Sequence, residues 1–568
     1  MSNLSTLPKG DSAWLLRKAI ERIMQQISVL ETNIGSSTTG NSANTQVIFN
    51  DNGTLRGDTG LTYNKVDDRL SFGAGICYGK LTVSTNIDIW RGLLNDGTST
   101  GVGATALAAT TAGATNNTAI GYRAMYRSTT GANNVAVGSQ ALSAAAVTGS
   151  GNTALGNGAL FTNVTGSNNT AVGNQALTLS LGSGNIGIGP DAGKSITTGE
   201  SNVVIGNLAL GNGSLATLSN NNIAIGTTAL YSTSSISGAD NIGVGRDTLR
   251  ALSSGANNVA IGVSPLNALT SGSSNIAIGN EAGQGVTTAA GNVFLSTRSG
   301  KSASAITGGD NVGIGGDTFR NLSTGADNVA IGRVAGNALT TGVSCTYVGA
   351  GAGAVSTTAD FVTALGYAAL NNNTAVNNTA VGAYSLLGNS IGANNVAVGK
   401  DALRLCLSSS NNTALGYAAA KNTYGNNCTA IGSLALVLAT GGDGNTAVGY
   451  NAIGSQATTG GYNTCIGENS GKNLTAGDSN TCLGSNAGGN LITGSQNICI
   501  GRDVVTTGSG SAAELAIGSA TYYVATNGNP AAYFGTATAG GTALPVAAIG
   551  FIRINLNGTF VKIAVYGN

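Results

Sequence analysis

A five-residue phrase, Asn-x-Ala-Ile-Gly, returns through two thirds of this chain, from Asn117-Thr118-Ala119-Ile120-Gly121 to Asn497-Ile498-Cys499-Ile500-Gly501. Its last residue serves as a marker. The marker occupies 23 positions between Gly121 and Gly501, once as Ser296, so 380 residues make 22 steps of about 17 each. A unit this short cannot bury its own apolar face and must stack on its neighbours. Stacked at the strand spacing of about 4.8 Å, 23 coils make a rod of about 110 Å.

Each column of the repeat carries a physical expectation. The residue before the marker is always Ile, Val or Leu, and the residue two places earlier is Thr, Val or Ile. Two β-branched or branched residues on one strand face predict a core ladder. The Ala between them then lies on the opposite face, where so small a column predicts close approach by another chain. A second Ala, three residues after the marker and often followed by Leu or Gly, predicts a second short strand. Four residues before the marker, Asn fills 20 of the 23 coils, including Asn117, Asn134, Asn152, Asn169, Asn258, Asn395 and Asn497; the exceptions are Cys345, Val362 and Cys428. Stacked asparagines predict a ladder of side-chain hydrogen bonds to identical neighbours.

Composition excludes several classes. Of 568 residues, 89 are Gly and only 9% are charged, unlike an ordinary globular enzyme. The regularly placed Val, Ile and Leu also separate the chain from disordered sequences. Net charge is +1 without a basic block, so a nucleic-acid partner is not expected. Histidine is absent, which removes the commonest general base and metal ligand; no enzymatic activity, cofactor or metal is expected. No apolar run is long enough to span a bilayer, and Lys9, Asp11, Arg17 and Lys18 interrupt any leader-like stretch, so neither membrane insertion nor secretion is expected. Seven cysteines without metal-type pairing suit reduced thiols in a cytosol where assembly occurs.

The ends differ from the repeat. Leu16, Ile20, Ile23, Ile27 and Leu30 are spaced 4, 3, 4, 3, a heptad seam whose isoleucines favour trimers or tetramers over dimers, and the trimer agrees with the Ala column. Residues 1–45 therefore read as a coiled-coil helix and linker, and 46–115 as a small β-rich neck and a Gly/Ala/Thr linker. The repeat shaft spans 116–505, and 506–568 form a β-rich tip. In the tip, Phe551–Leu556 and Thr559–Tyr566 flank Asn557-Gly558, a strong hairpin signal; such a hairpin would cap the open end of a solenoid. Tyr522, Tyr523, Tyr533 and Phe534 form the densest aromatic stretch and are the candidate receptor-binding residues. The expected fold is all-β: an elongated trimeric β-solenoid, a parallel β-roll of ~17-residue coils, with a short N-terminal coiled-coil helix and a C-terminal β-hairpin cap.

The Asn-x-Ala-Ile-Gly coil resembles the β-roll head of trimeric autotransporter adhesins, whose coils are shorter. Gln46-Val47-Ile48-Phe49-Asn50-Asp51-Asn52-Gly53, continuing to Gly60-Leu61-Thr62-Tyr63-Asn64, is similar to stretches of tailed-phage fibre proteins, and Gly550–Thr559 is similar to C-terminal segments of phage tail proteins. The resemblance implies a virion protein assembled in the host cytoplasm, with its N-terminus on other tail or baseplate proteins and a distal C-terminus facing a host cell-surface receptor. A bacterial surface adhesin, a polysaccharide depolymerase and an ice-binding solenoid are the alternatives; the last needs exposed Thr rows, and Thr is expected here to face inward.

Other motifs carry blander readings. Cys465, Cys482 and Cys499 share the Ala column and read as core filler. Arg56-Gly57-Asp58 reads as a chance tripeptide in a turn. Tyr122, Tyr367, Tyr417 and Tyr450 each follow a marker glycine and read first as bulky flank fillers, second as sugar-stacking platforms.

Overall fold

The computed structural model describes residues 98–108, 113–211, 220–232 and 236–518 in full, the helix 18–25, and the backbone of the remaining strands between Asn44 and Tyr566. The chain divides into two compact units, Met1–Leu81 and Thr82–Asn568.

In the first unit, Asn44–Asp51 pairs antiparallel with Thr54–Asn64, which pairs in turn with Arg69–Phe72. Asp51 pairs with Thr54 at the end of the first ladder. Arg56-Gly57-Asp58 lies in a strand, with Arg56 opposite Phe49 and Gly57 opposite Ile48, and not in a turn. The helix at 18–25 holds two seam positions, a half-buried Ile20 and an Ile23 that is 54% exposed. Leu16, Ile27 and Leu30 lie outside the described residues.

The second unit contains a parallel β-solenoid of about 24 turns. Each coil gives one three-residue strand, and every strand from Thr100–Val102 to Leu515–Ser519 pairs parallel and in register with the next. Stacking thus reaches one rung beyond the regular phrase at each end, with Gly103 and Gly518 as further markers. Asp88–Arg91 pairs antiparallel on the first rung and Tyr522–Ala525 on the last, so both terminal strands have their outer edges paired. Ala548–Leu556 and Thr559–Tyr566 form a separate antiparallel pair with Leu556 opposite Thr559.

The inside of the roll reverses the expected parity. Ala119, Ala136, Ala154 and their successors, at the strand centre, are fully buried, whereas Ile120, Leu155 and Leu415, just before the marker, face out. A strand turns alternate residues to opposite faces, so one error inverts every column. Space explains the inversion. The buried set is Asn at −4 and Ala at −2 from the marker, with a Leu at +4 that reaches in from the turn, as Leu142, Leu160 and Leu177 do. A methyl at −2 leaves the volume that the +4 isobutyl group fills.

The second strand expected after the marker is a turn instead. Residues at +2 and +4 hold positive φ in nearly every coil, for example Gln140 at 58° and Leu142 at 48°. A left-handed Leu costs about 1–2 kcal/mol, and full burial of its side chain returns about 1.5–3 kcal/mol. The marker glycine is required for a different reason. Gly121 has φ +128°, and a Cβ there would lie 2.6 Å from the Gly138 carbonyl oxygen of the next coil.

Where the strand centre is Phe294, Tyr347, Cys465 or Cys482, the +4 residue is Gly. Phe294 replaces the central Ala and is fully buried; a Cβ at Gly300 would sit 2.7 Å from its ring, and one at Gly283 3.2 Å away. Tyr347 stands in the same relation to Gly336 and Gly353, and Cys465 to Gly471. The −2 and +4 columns are therefore one packing unit whose volume is kept by trading side chains between them.

Candidate interaction surfaces

Two columns of each strand, at −3 and −1, point outward along the whole solenoid. Among the −1 residues, Leu155, Leu365, Leu415 and Leu483 are the most open, Leu415 at 48%. The −3 column is Val or Ile over much of the first half, and Thr in eight of the nine successive rungs from Thr346 to Thr481. Thr does not face inward, as expected; it shares the outer face, half-exposed or open in each of these strands. The result is a parallel apolar ribbon about 115 Å long at ~4.8 Å per rung. Its two columns are about 7 Å apart, which makes an apolar patch on the order of 1,000 Å², several times what a monomeric surface normally carries.

On the inner side, the asparagine ladder is present but wired differently from the expectation. The common link is from side chain to backbone: Oδ1 of Asn117 accepts the Asn134 N–H at 2.9 Å, and Nδ2 of Asn134 donates to the Gly149 carbonyl at 3.0 Å. Amide-to-amide bonds join this in two stretches, Asn185 to Asn328 and Asn445 to Asn497, as in Asn258 Nδ2 to Asn241 Oδ1 at 3.0 Å. Asn152, Asn169 and Asn395 carry only the backbone link. Cys345 and Cys428 take the asparagine position, and their thiols meet the carbonyls of Ala359 and Gly442, which an amide would otherwise reach. The ladder starts on Ser99 Oγ and ends at Glu514 N–H. Each ladder asparagine is thus tied to the next coil, which fixes register.

A second, outer asparagine row was not anticipated. Asn377, Asn394, Asn411 and Asn427 hold φ near 58–60°, a conformation Asn tolerates best after Gly, and pass side-chain bonds of 3.2–3.3 Å from coil to coil. The Asn-Asn dipeptides at 377–378, 394–395 and 411–412 were its signal.

Cys465, Cys482 and Cys499 stack in register and are fully buried. Contact with Cys465 is the largest cause that pushes the Cys482 thiol well above its usual range, and burial adds to it. Burial pushes Cys406 up to about 11. These thiols are neutral apolar filler, and no cluster of three metal-binding side chains occurs among the described residues.

Tyr122, Tyr367, Tyr417 and Tyr450 are 48–56% exposed on the flank, with Tyr122 under Arg123 and Tyr367 against Tyr384. Tyr522 and Tyr523 lie on the strand Tyr522–Ala525, and Tyr533 and Phe534 on its antiparallel partner, with Phe534 opposite Val524 and Tyr533 opposite Ala525. The backbone brings the four candidate receptor-binding residues onto one strand pair. No protein family, curated protein or solved structure matches the chain.

Proposed function

We propose that this chain is the structural shaft of a homotrimeric fibre, tail-fibre-like or tailspike-like, that projects from a virion and mediates attachment to a host surface. In this reading the N-terminal helix docks to other tail or baseplate proteins, the solenoid sets the reach, and the strands after Leu515, with the closing hairpin, form the tip that meets a cell-surface receptor. The observation that carries the proposal is the outward Ile/Val/Leu ribbon. A patch on the order of 1,000 Å² per chain matches the ~800 Å² that each partner of a stable complex buries. Three copies turned about a common axis would seal it, and Ile23, exposed on the N-terminal helix, would gain partners by the same symmetry. The ribbon replaces the Ala column as the reason for a trimer.

The test is native mass combined with negative-stain imaging. A rod three chains in mass is expected. The double variant Ile261→Arg/Ile278→Arg alters only outward residues; it should keep its β-sheet circular dichroism and lose the trimer. A stable single-chain species of the unaltered protein would overturn the reading.

The outward Thr run from Thr346 to Thr481 favours one other reading, a flat water-ordering surface of the ice-binding kind. Thermal hysteresis and altered ice-crystal shape in dilute protein would support it; their absence would retire it.

A further inference from the structure

The tyrosines that follow the marker glycine form a short column that trimer packing does not explain. Between Gly366 and Gly449 the residues directly after the marker are Tyr367, Ala383, Lys400, Tyr417, Ser433 and Tyr450. Over the preceding thirteen coils, from Ser139 to Ala350, the same column holds no aromatic residue. The backbone of this segment is rigid. Each carbonyl in the column accepts the N–H of the residue two places after the next marker, from Tyr384 N–H to Tyr367 at 2.9 Å through Asn469 N–H to Tyr450 at 2.8 Å.

Side-chain geometry adds three points. Tyr367, Tyr417 and Tyr450 are 51–56% exposed, with small residues between them at Ala383 and Ser433. Tyr384 packs its edge on Tyr367, centroids 5.2 Å apart at 85°. Arg404 lies over the Tyr384 ring at 5.1 Å and is held by Asp401 at 3.1 Å. At about 4.8 Å per rung, Tyr367 and Tyr417 are about 14 Å apart along the axis and Tyr417 and Tyr450 about 10 Å. One rung is close to the length that a pyranose residue adds to an extended chain, so aromatic plates recur at two- and three-residue intervals of such a chain.

We propose that this flank is a binding strip for an extended acidic glycan lying along the solenoid axis. Ring faces on a rigid scaffold offer apolar area to sugar C–H faces at little entropic cost, and the phenol hydroxyls bond outward. An extended peptide would have to add as a strand, which needs free backbone donors and acceptors; the column's own carbonyls are already spent within the ladder. Exposed Lys400, midway along the column, and Arg404 over the Tyr384 ring give the strip its positive charge and select uronic-, sialic- or phosphate-bearing chains over neutral ones. Three strips per fibre would multiply a weak single site into firm attachment. The inference rests on the attachment reading above and names its ligand.

An oligosaccharide array that carries acidic and neutral chains of matched length tests it, with the full-length protein as probe. The unaltered chain should retain acidic members. Tyr417→Ser/Tyr450→Ser should weaken retention by about tenfold or more at unchanged native mass and melting temperature, and Lys400→Glu should remove the preference for acidic members. No retention of acidic chains, retention indifferent to the tyrosine pair, or a fall in native mass in that variant would overturn the strip. Native mass reports assembly separately: a single-chain species that still held acidic glycans would end the trimeric fibre and leave the strip standing.

Discussion

Phe294 and Gly300 make the sharpest test of how the roll is packed. Phe294 fills the strand centre, where most coils carry Ala, and Gly300 holds the +4 position, where about half carry Leu. Truncation by Phe294→Ala opens a cavity bordered by Gly283, Gly300 and Gly313, none of which has a side chain to refill it. The cost should fall at the upper end of the usual 3–5 kcal/mol. Adding Gly300→Leu to that variant recreates the ordinary Ala/Leu coil. Gly300 has φ +66°, and leucines elsewhere in this column adopt 47–53°, so the backbone accepts the change at about 1–2 kcal/mol. A refilled Leu-sized cavity is worth about 2–5 kcal/mol, and the double variant should therefore recover about 1–3 kcal/mol. In the unaltered background the same Gly300→Leu change meets the Phe294 ring at 2.7 Å and should destabilise by at least 1–3 kcal/mol. One substitution thus carries opposite signs in two backgrounds, readable as urea midpoints in a double-mutant cycle. Additive effects, or a double variant no more stable than Phe294→Ala, would refute the idea that these columns share one volume.

Asn258→Ala should cost about 1–3 kcal/mol for each buried group it orphans, among them the Asn275 N–H and the Gly272 carbonyl; Asn258→Cys should cost less, since Cys345 and Cys428 hold the same place. Ser296 is the one marker residue that is not Gly and holds φ 109°, so Ser296→Gly should raise the melting temperature by relieving about 1 kcal/mol of strain. Burial favours the neutral Cys406 thiol, so its contribution is complete below the ordinary thiol value of 9.0 and drains as pH climbs toward 11. Melting temperature should fall across that window, less steeply in Cys406→Ala, and thiol reagents at pH 8 should label Cys406 only after unfolding.

The architecture was legible because repetition is. A marker that recurs about every 17 residues, Ile/Val/Leu always before it and Asn four places earlier, dictates stacked rungs whatever the details. Which face was inside was not legible from hydrophobicity, because both parities look plausible when one column is Ala and the other Ile. The deciding residue, Leu142 or its equivalents, sits in the turn, and its inward aim depends on a left-handed φ that no propensity predicts for Leu. The trade between Phe294 and Gly300 was present in the sequence, but it reads as packing only once the two columns are known to face each other.

That inversion bears on function. With Ala outside, the solenoid would present a smooth, small-residue flank and would need company only for close backbone packing. With Ile120, Leu155, Ile278 and Leu415 outside, it presents a ribbon that water disfavours by about 25 cal/mol per Å² of apolar surface, summed over some 24 turns. A long stack multiplies whatever each rung exposes. Side chains that would be unremarkable on a single strand therefore become, through repetition, a long apolar face among the described residues, and in the proposed fibre a drive to assembly. Polar Thr in the −3 column from Thr346 to Thr481 dilutes that drive over the same rungs that carry Tyr367, Tyr417 and Tyr450. In the proposed fibre, the half that would hold its neighbours less tightly is the half whose flank exposes aromatic faces.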